Sequence, residues 1–411
     1  MKTIGIWGLL VVILFAYSPA SATDRLDTLL GKHIVGYQGW FSCPGDKAQL
    51  GWRHWFRGAK PDVSQLVVDQ WPDTSELNVT DRCDTGLLLR KGQHAYLFSS
   101  ENPNVIEKHF AWMKRYGIDG VALQRFDSEL RNPIPLKHTN IVMDNVRSAA
   151  EAEGRGFFIM YDLSGDDPDI VARVTRDWTA LIQNMKLTDS PSYMRHKGKP
   201  LVGLWGLGFK DRKIDAAQAE ALIHFFRTSA APATVIGGVP SGWRTLTGDS
   251  RAEPAWSDVY RSLDVISPWT VGRFADRVEA ARFMKDYVIA DMAETKRLKV
   301  DYLPVIFPGM SWYNGQKGRV PLNNIPRLCG NFYNSLARLM RAAGARMLYT
   351  AMFDEVNEGT AIFKVVTDSN ETPTDSVMAT LGNHDCRARS DMYLKEAGAI
   401  TRSLHADFLR R

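Results

Sequence analysis

The chain alternates between short apolar runs and longer stretches in which apolar residues recur at helical spacing. Short runs bounded by glycine, proline or polar clusters predict strands, and the 3.6-residue recurrence predicts amphipathic helices. The runs fall at 33–41, 118–126, 156–163, 200–208, 234–240, 265–274, 302–309 and 346–353, eight in all. Helical patterns over 104–116, 138–153, 168–185, 216–227, 276–298 and 325–343 separate most of them, and Gly117, Gly154 and Gly344 stand as helix stops. Apolar runs flanking Lys91-Gly92 predict a hairpin within 87–99.

Eight strand–helix units predict an α/β chain folded as a closed (β/α)8, TIM-like barrel. The pattern places one large domain over 23–411, with loop insertions after the first strand and a C-terminal cap of two short helices over 370–411. An open doubly wound sheet is the alternative, because the 241–264 connection is irregular and Pro304 interrupts the seventh strand.

The N-terminus reads differently. Lys2, the apolar run Ile4 to Tyr17 and the small residues Ala20-Ser21-Ala22 form a secretory signal over 1–22. The expected destination is secreted or periplasmic, with no integral membrane segment after cleavage; a retained anchor is the alternative. An oxidising destination permits disulfides among Cys43, Cys83, Cys329 and Cys386. Four cysteines allow three pairings, and spacing does not choose among them or exclude free thiols. No spacing matches a zinc or redox motif. Asn78-Val79-Thr80 fits a glycosylation acceptor.

The 411 residues are 45% hydrophobic and 24% charged, which is ordinary for a globular chain. The net charge of +5 is scattered without a basic tract, so no nucleic-acid partner is expected.

In a barrel, function gathers where strands end. Those ends carry aromatic and polar residues: Tyr37, Gln38 and Trp40; Gln124, Arg125 and Asp127; Tyr161 and Asp162; Trp205; Trp243 and Arg244; Trp269 and Arg273; Trp312, Tyr313 and Asn314. The long loop after the first strand adds Trp52, His54, Trp55, Asp69 and Trp71. Aromatic faces suit stacking against sugar rings, although each residue singly could serve packing or capping. The last strand ends in Asp354-Glu355-Val356-Asn357-Glu358-Gly359-Thr360. Glu355 and Glu358 are three apart, so a turn puts both on one side. Such a pair suits acetal chemistry, in which one group donates a proton and the other removes one. No Gly-x-Ser-x-Gly elbow suggests an esterase.

From the first strand to about residue 365 the chain resembles glycoside hydrolase family 99 and its relative family 71. The shared features are Gly36-Tyr37 leading to Trp40, Asp119-Gly120-Val121 leading to Phe126, Tyr161-Asp162, and Glu355-x-x-Glu358-Gly359-Thr360. The family motif usually has Trp and His between the two glutamates and Asn before the first; here Val356, Asn357 and Asp354 stand there. The resemblance implies a retaining endo-α-mannosidase-like hydrolase on a (β/α) barrel, with an oligosaccharide or polysaccharide substrate and no metal or organic cofactor. It implies that Glu355 takes the proton of the sugar 2-hydroxyl, giving a 1,2-anhydro sugar, while Glu358 protonates the leaving oxygen. A non-catalytic glycan-binding protein on the same barrel is the alternative, motivated by Val356 and Asn357.

Overall fold

A computed structural model of the protein describes residues 25–165, 168–382 and 386–410. The expected signal segment lies outside the described residues. In chain order the strands are β1 (His33–Tyr37), β2 (Cys83–Leu88), β3 (His94–Leu97), β4 (Gly120–Phe126), β5 (Gly156–Asp162), β6 (Arg195–His196), β7 (Lys199–Trp205), β8 (Thr234–Val239), β9 (Val265–Pro268), β10 (Asp301–Tyr302), β11 (Val305–Ile306) and β12 (Leu348–Thr350). The helices are α1 (Pro103–Tyr116), α2 (Pro133–Glu153), α3 (Ile170–Gln183), α4 (Ala216–Thr228), α5 (Ala255–Arg261), α6 (Arg277–Phe283), α7 (Ile289–Leu298), α8 (Asn331–Ala342) and α9 (Met392–Leu409).

The main sheet runs β10-β9-β8-β7-β5-β4-β1-β12-β11, all parallel, with β6 antiparallel against β7. Strands such as Gly-Val-Ala-Leu-Gln-Arg-Phe in β4 are buried along almost their whole length, as parallel strands covered on both faces must be. The two ends of the sheet are the same short stretch of chain. Asp301 and Tyr302 pair with β9, whereas Val305 and Ile306 pair with β12. Between them Pro304 lacks a donor, but its carbonyl accepts from Tyr349 N–H at 3.0 Å while Leu303 N–H reaches Ile266 O at 2.9 Å. The proline therefore marks where this stave switches edges, and the sheet curls round through it into the expected TIM-like barrel.

Several boundaries differ from the pattern. The first strand stops at Tyr37 and the sixth at Pro268, because the Gly- and Trp-rich stretches after them leave the sheet as loops. α8 begins at Asn331 rather than 325, because Ile325 is held in an antiparallel bridge to Met310. The stretch 277–298 is one helical run with a π-helical turn at Met284–Val288. The cap is one 18-residue helix, α9, rather than two short ones. It docks by its buried face, with Tyr116 Oη donating to Asp391 at 2.7 Å and His405 against Asp119 at 3.0 Å. Disulfides join Cys43 to Cys83 and Cys329 to Cys386. Among the described residues no helix is long and apolar enough to cross a membrane.

Candidate active site

The turn after β12 is built by its own carboxylates. Asp354, fully buried, accepts the backbone N–H groups of Gln38 at 2.7 Å and Gly39 at 2.9 Å, so the exits of β1 and β12 are locked together. Gly36 lies just before this lock, where a Cβ would strike Met352 and the Tyr349 hydroxyl at about 2.2–2.3 Å; only glycine lets β1 pass there. The chain then folds back, with Thr360 and Ala361 N–H both donating to Glu355 O at 3.0 Å. Gly359 takes φ 59° to make the turn, directly against Ser311. Ser311 N–H donates to Glu358 O at 2.8 Å, and buried Asp69 holds that neighbouring loop through Ser311 Oγ and the N–H groups of Tyr313 and Asn314.

These constraints deliver Glu355 and Glu358 to one cavity of about 170 Å³ at the ends of the strands. It is small against the few hundred Å³ of a typical ligand site, so it suits a single ring rather than an extended chain. Gln38, Trp40, Gln124, Phe126, Asp162, Trp205, Arg212, Trp269 and Tyr349 line it with the two glutamates. Trp40 is stacked on His54 at 4.1 Å and on Phe126 at 5.0 Å, which fixes its face. Trp205 meets Trp269 edge-on at 5.3 Å. The Gln38 amide donates to Glu355 Oε2, and Asn357 N–H reaches Glu355 Oε1 at 3.2 Å. Polar atoms of five lining residues are buried with no protein partner: Gln38 Oε1, Trp40 Nε1, Trp205 Nε1, Arg212 Nε and Thr360 Oγ1. Orphaned polar groups gathered round one cavity are what a polar ligand would satisfy.

The electrostatics separate the acids from ordinary surface carboxylates. Burial, then the charges of Glu358 and Asp354, push Glu355 well above the usual range. Glu358 is raised to about 7 by burial and by Asp162, against the pull of Arg212. Asp162 is also raised, chiefly by burial. Two carboxyl groups that resist joint ionisation can hold one proton between them near neutrality.

Of the residues expected to bind substrate, Gln38, Trp40, Gln124, Asp162, Trp205 and Trp269 reach the cavity. The others do different work. Tyr37 is buried against α1, its hydroxyl on His109 at 2.8 Å. Trp55 is core, donating to Phe98 O, and His54 backs Trp40 from outside the cavity. Arg125 and Tyr161 both turn outward to Asp177, because alternate residues of β4 and β5 face the helices. Asp127 is ion-paired with Arg173 and Arg131. Trp243 donates to buried Asp291 at 3.0 Å. Trp312, Tyr313 and Asn314 ride the loop held by Asp69, and Trp312 stands 36% exposed outside the cavity. Asp354 is a brace, not a contact. Val356 and Asn357, the positions that depart from the family motif, do not line the cavity. Val356 is core, its carbonyl taking Asp69 N–H at 2.9 Å, and the Asn357 amide ties to His54 O at 2.9 Å.

Of the lining residues, the sequence offered Phe126 and Thr360 only as shared family features, and Arg212 and Tyr349 not as candidates at all. Phe126 was legible as the strand residue between Arg125 and Asp127, and Tyr349 as a residue of the last strand. Arg212 gave no signal, since it sits in a polar stretch seven residues beyond Trp205. Among the described residues no group of three or more His, Cys, Asp or Glu is arranged to hold a metal ion.

No protein-family model matches the sequence, and no curated protein does. Solved structures do match in fold. The glycoside hydrolase family 99 endo-α-mannosidase from Bacteroides thetaiotaomicron superposes with a TM-score of 0.64 at 15% identity, covering 92% of this chain and 99% of that one. The same enzyme in complex with bis-tris propane gives 0.64 at 15% identity, over 93% of this chain and 100% of that one. A protein described as glycoside hydrolase-like gives 0.53 at 12% identity, over 85% of this chain and 98% of that one. The barrel expected from the sequence is thus the barrel these proteins share.

Proposed function

We propose that this protein is a secreted, retaining glycoside hydrolase acting on α-linked glycans, mannan-like or other microbial or algal polysaccharides. The observation that carries the reading is the placement of Glu355 and Glu358 in one tryptophan-walled cavity, both pushed up by burial. The likeness in fold to endo-α-mannosidases agrees with it. The two disulfides suit an oxidising compartment.

The scheme uses one proton between the pair, assigned to Glu358 by its position in the Glu-x-x-Glu motif. Ionised Glu355 removes the proton from the sugar 2-hydroxyl, and that oxygen attacks the anomeric carbon. The bond to the leaving oxygen breaks as Glu358 gives that oxygen its proton. In an α-mannoside the axial 2-oxygen lies opposite the axial leaving group, so internal attack is aligned. Water then opens the 1,2-anhydro sugar, losing a proton to Glu358, while Glu355 returns its proton to the 2-oxygen. Two inversions give net retention. Gln38, bonded to Glu355, favours its ionised form.

The test is release of reducing sugar from a panel of α-mannans and other microbial and algal polysaccharides. Cleavage that disappears in Glu358→Gln is expected. Silence across the panel from folded protein overturns the reading. Calorimetric binding without product, unchanged in Glu358→Gln, would favour a glycan-binding protein instead.

A further inference from the structure

The wall of the cavity next to β7 continues outward as a basic shelf. Arg212 lines the cavity and also an open depression beside it, together with Lys210, Lys213 and Arg251. The shelf is built on rigid backbone. Phe209 and Ser250 form an antiparallel bridge, Lys210 N–H donates to Asp249 O at 3.1 Å, and Arg251 N–H donates to Gly208 O at 2.8 Å. Two carboxylates offset part of the charge: Asp211 takes Arg212 at 3.0 Å, and Glu253 takes Arg251 at 2.6 Å. Lys210, Arg212 and Arg251 against these two acids leave the shelf positive, and Lys210 is exposed. The Arg212 guanidinium lies over the Trp205 ring at 5.3 Å with its Nε buried and lacking a protein partner.

The polarity is lopsided. The reacting end of the cavity holds Asp162, Glu355 and Glu358, which would repel an anion, while the exit over Arg212 attracts one. The cavity is ring-sized, so the next residues of any chain must lie on surfaces outside it. Deepening the hydrolase reading on which it rests, we infer that the natural glycan is anionic, carrying carboxylate, sulfate or phosphate on a residue outside the reacting ring, seated on the Lys210–Arg212–Arg251 shelf.

The experiment is calorimetry with catalytically disabled Glu358→Gln. The probes are α-mannan oligosaccharides, unmodified, sulfated or phosphorylated, and uronate-containing oligosaccharides of matched length. One anionic class should bind at least roughly tenfold tighter than the neutral glycan at low salt. That preference should shrink as salt rises, since exposed charges are screened. Adding Lys210→Gln should cut it by roughly threefold, as the loss of one exposed ion pair would. Which class wins identifies the anion. Equal affinity for neutral and anionic glycans, no binding of any anionic one, or a preference untouched by Lys210→Gln overturns the inference. If anionic glycans bind as expected but the wild type cleaves none of them, the shelf stands and the hydrolase reading falls.

Discussion

The Gln38 side-chain amide, at the exit of the first strand, donates to the Glu355 carboxylate after the last one, across the seam where Asp354 clamps the Gln38 backbone. One residue is thus held by two adjacent acids, and its amide is one of the few groups that favour the charged form of Glu355. Gln38→Leu should raise the Glu355 carboxyl further, because a hydrogen bond to the carboxylate is lost in a buried place. The acid limb of kcat/KM, which needs Glu355 ionised, should move up by roughly one pH unit. A pH–rate profile that keeps its acid limb in place would show that Glu355 is not the base.

The two glutamates should divide the work by leaving group. Glu358→Gln should nearly abolish hydrolysis of natural glycans yet spare an activated aryl glycoside, whose leaving oxygen needs little protonation. Glu355→Gln should harm both substrates alike. Measured kcat/KM for both variants on both substrates decides, and the opposite pattern means the roles are exchanged. Losses under about tenfold, roughly 1.4 kcal/mol, in both variants would move the chemistry elsewhere. The same Glu358→Gln variant removes the group that must stay protonated, so its residual activity on the aryl glycoside should lack the basic limb that wild type shows near pH 7.

Asp354 should write a pH dependence into stability. Burial raises it to about 6, above its unfolded value near 4, so its contribution is full below about 4 and is lost as pH rises through about 6. Asp354→Asn cannot ionise and should lack this decline. It also loses one of the two acceptors for Gln38 and Gly39 N–H, so it should be the less stable protein at pH 4. The gap between the two should narrow by up to about 3 kcal/mol between pH 4 and 7. Parallel denaturation curves for the two proteins across this range would remove the effect.

Arg125 should behave as structure. Its guanidinium is buried, ion-paired with Asp177 and bonded to Asn140 at 2.7 Å. Arg125→Met strands the Asp177 charge and should cost about 3–5 kcal/mol in unfolding free energy. At a temperature where the variant is folded, KM should change little. A large rise in KM with unchanged stability would return Arg125 to the substrate.

The eight staves, most of their helices and the Glu355/Glu358 pair were legible in the sequence, because each rests on local regularity. Apolar runs mark strands buried on both faces, a 3.6-residue recurrence marks helices, and a sharp change from apolar to acidic marks the end of a buried strand. Gln38, Trp40, Gln124, Asp162, Trp205 and Trp269 could be chosen for the same reason, as strand-end residues. What sequence could not give is which way each of them turns. β4 carries Gln124 and Arg125 side by side, and pleating sends one into the cavity and the other to Asp177 under the helices. Tyr161 and Asp162 part in the same way on β5. Arg212 reaches the site only because the loop after β7 folds back against the 249–253 turn, a contact that follows from two strands lying side by side. The pairing of Cys329 with Cys386 likewise depends on where the C-terminal segment docks. Alternation and spacing are written into the chain, while the facing of a side chain and the meeting of distant loops are decided only when the sheet closes.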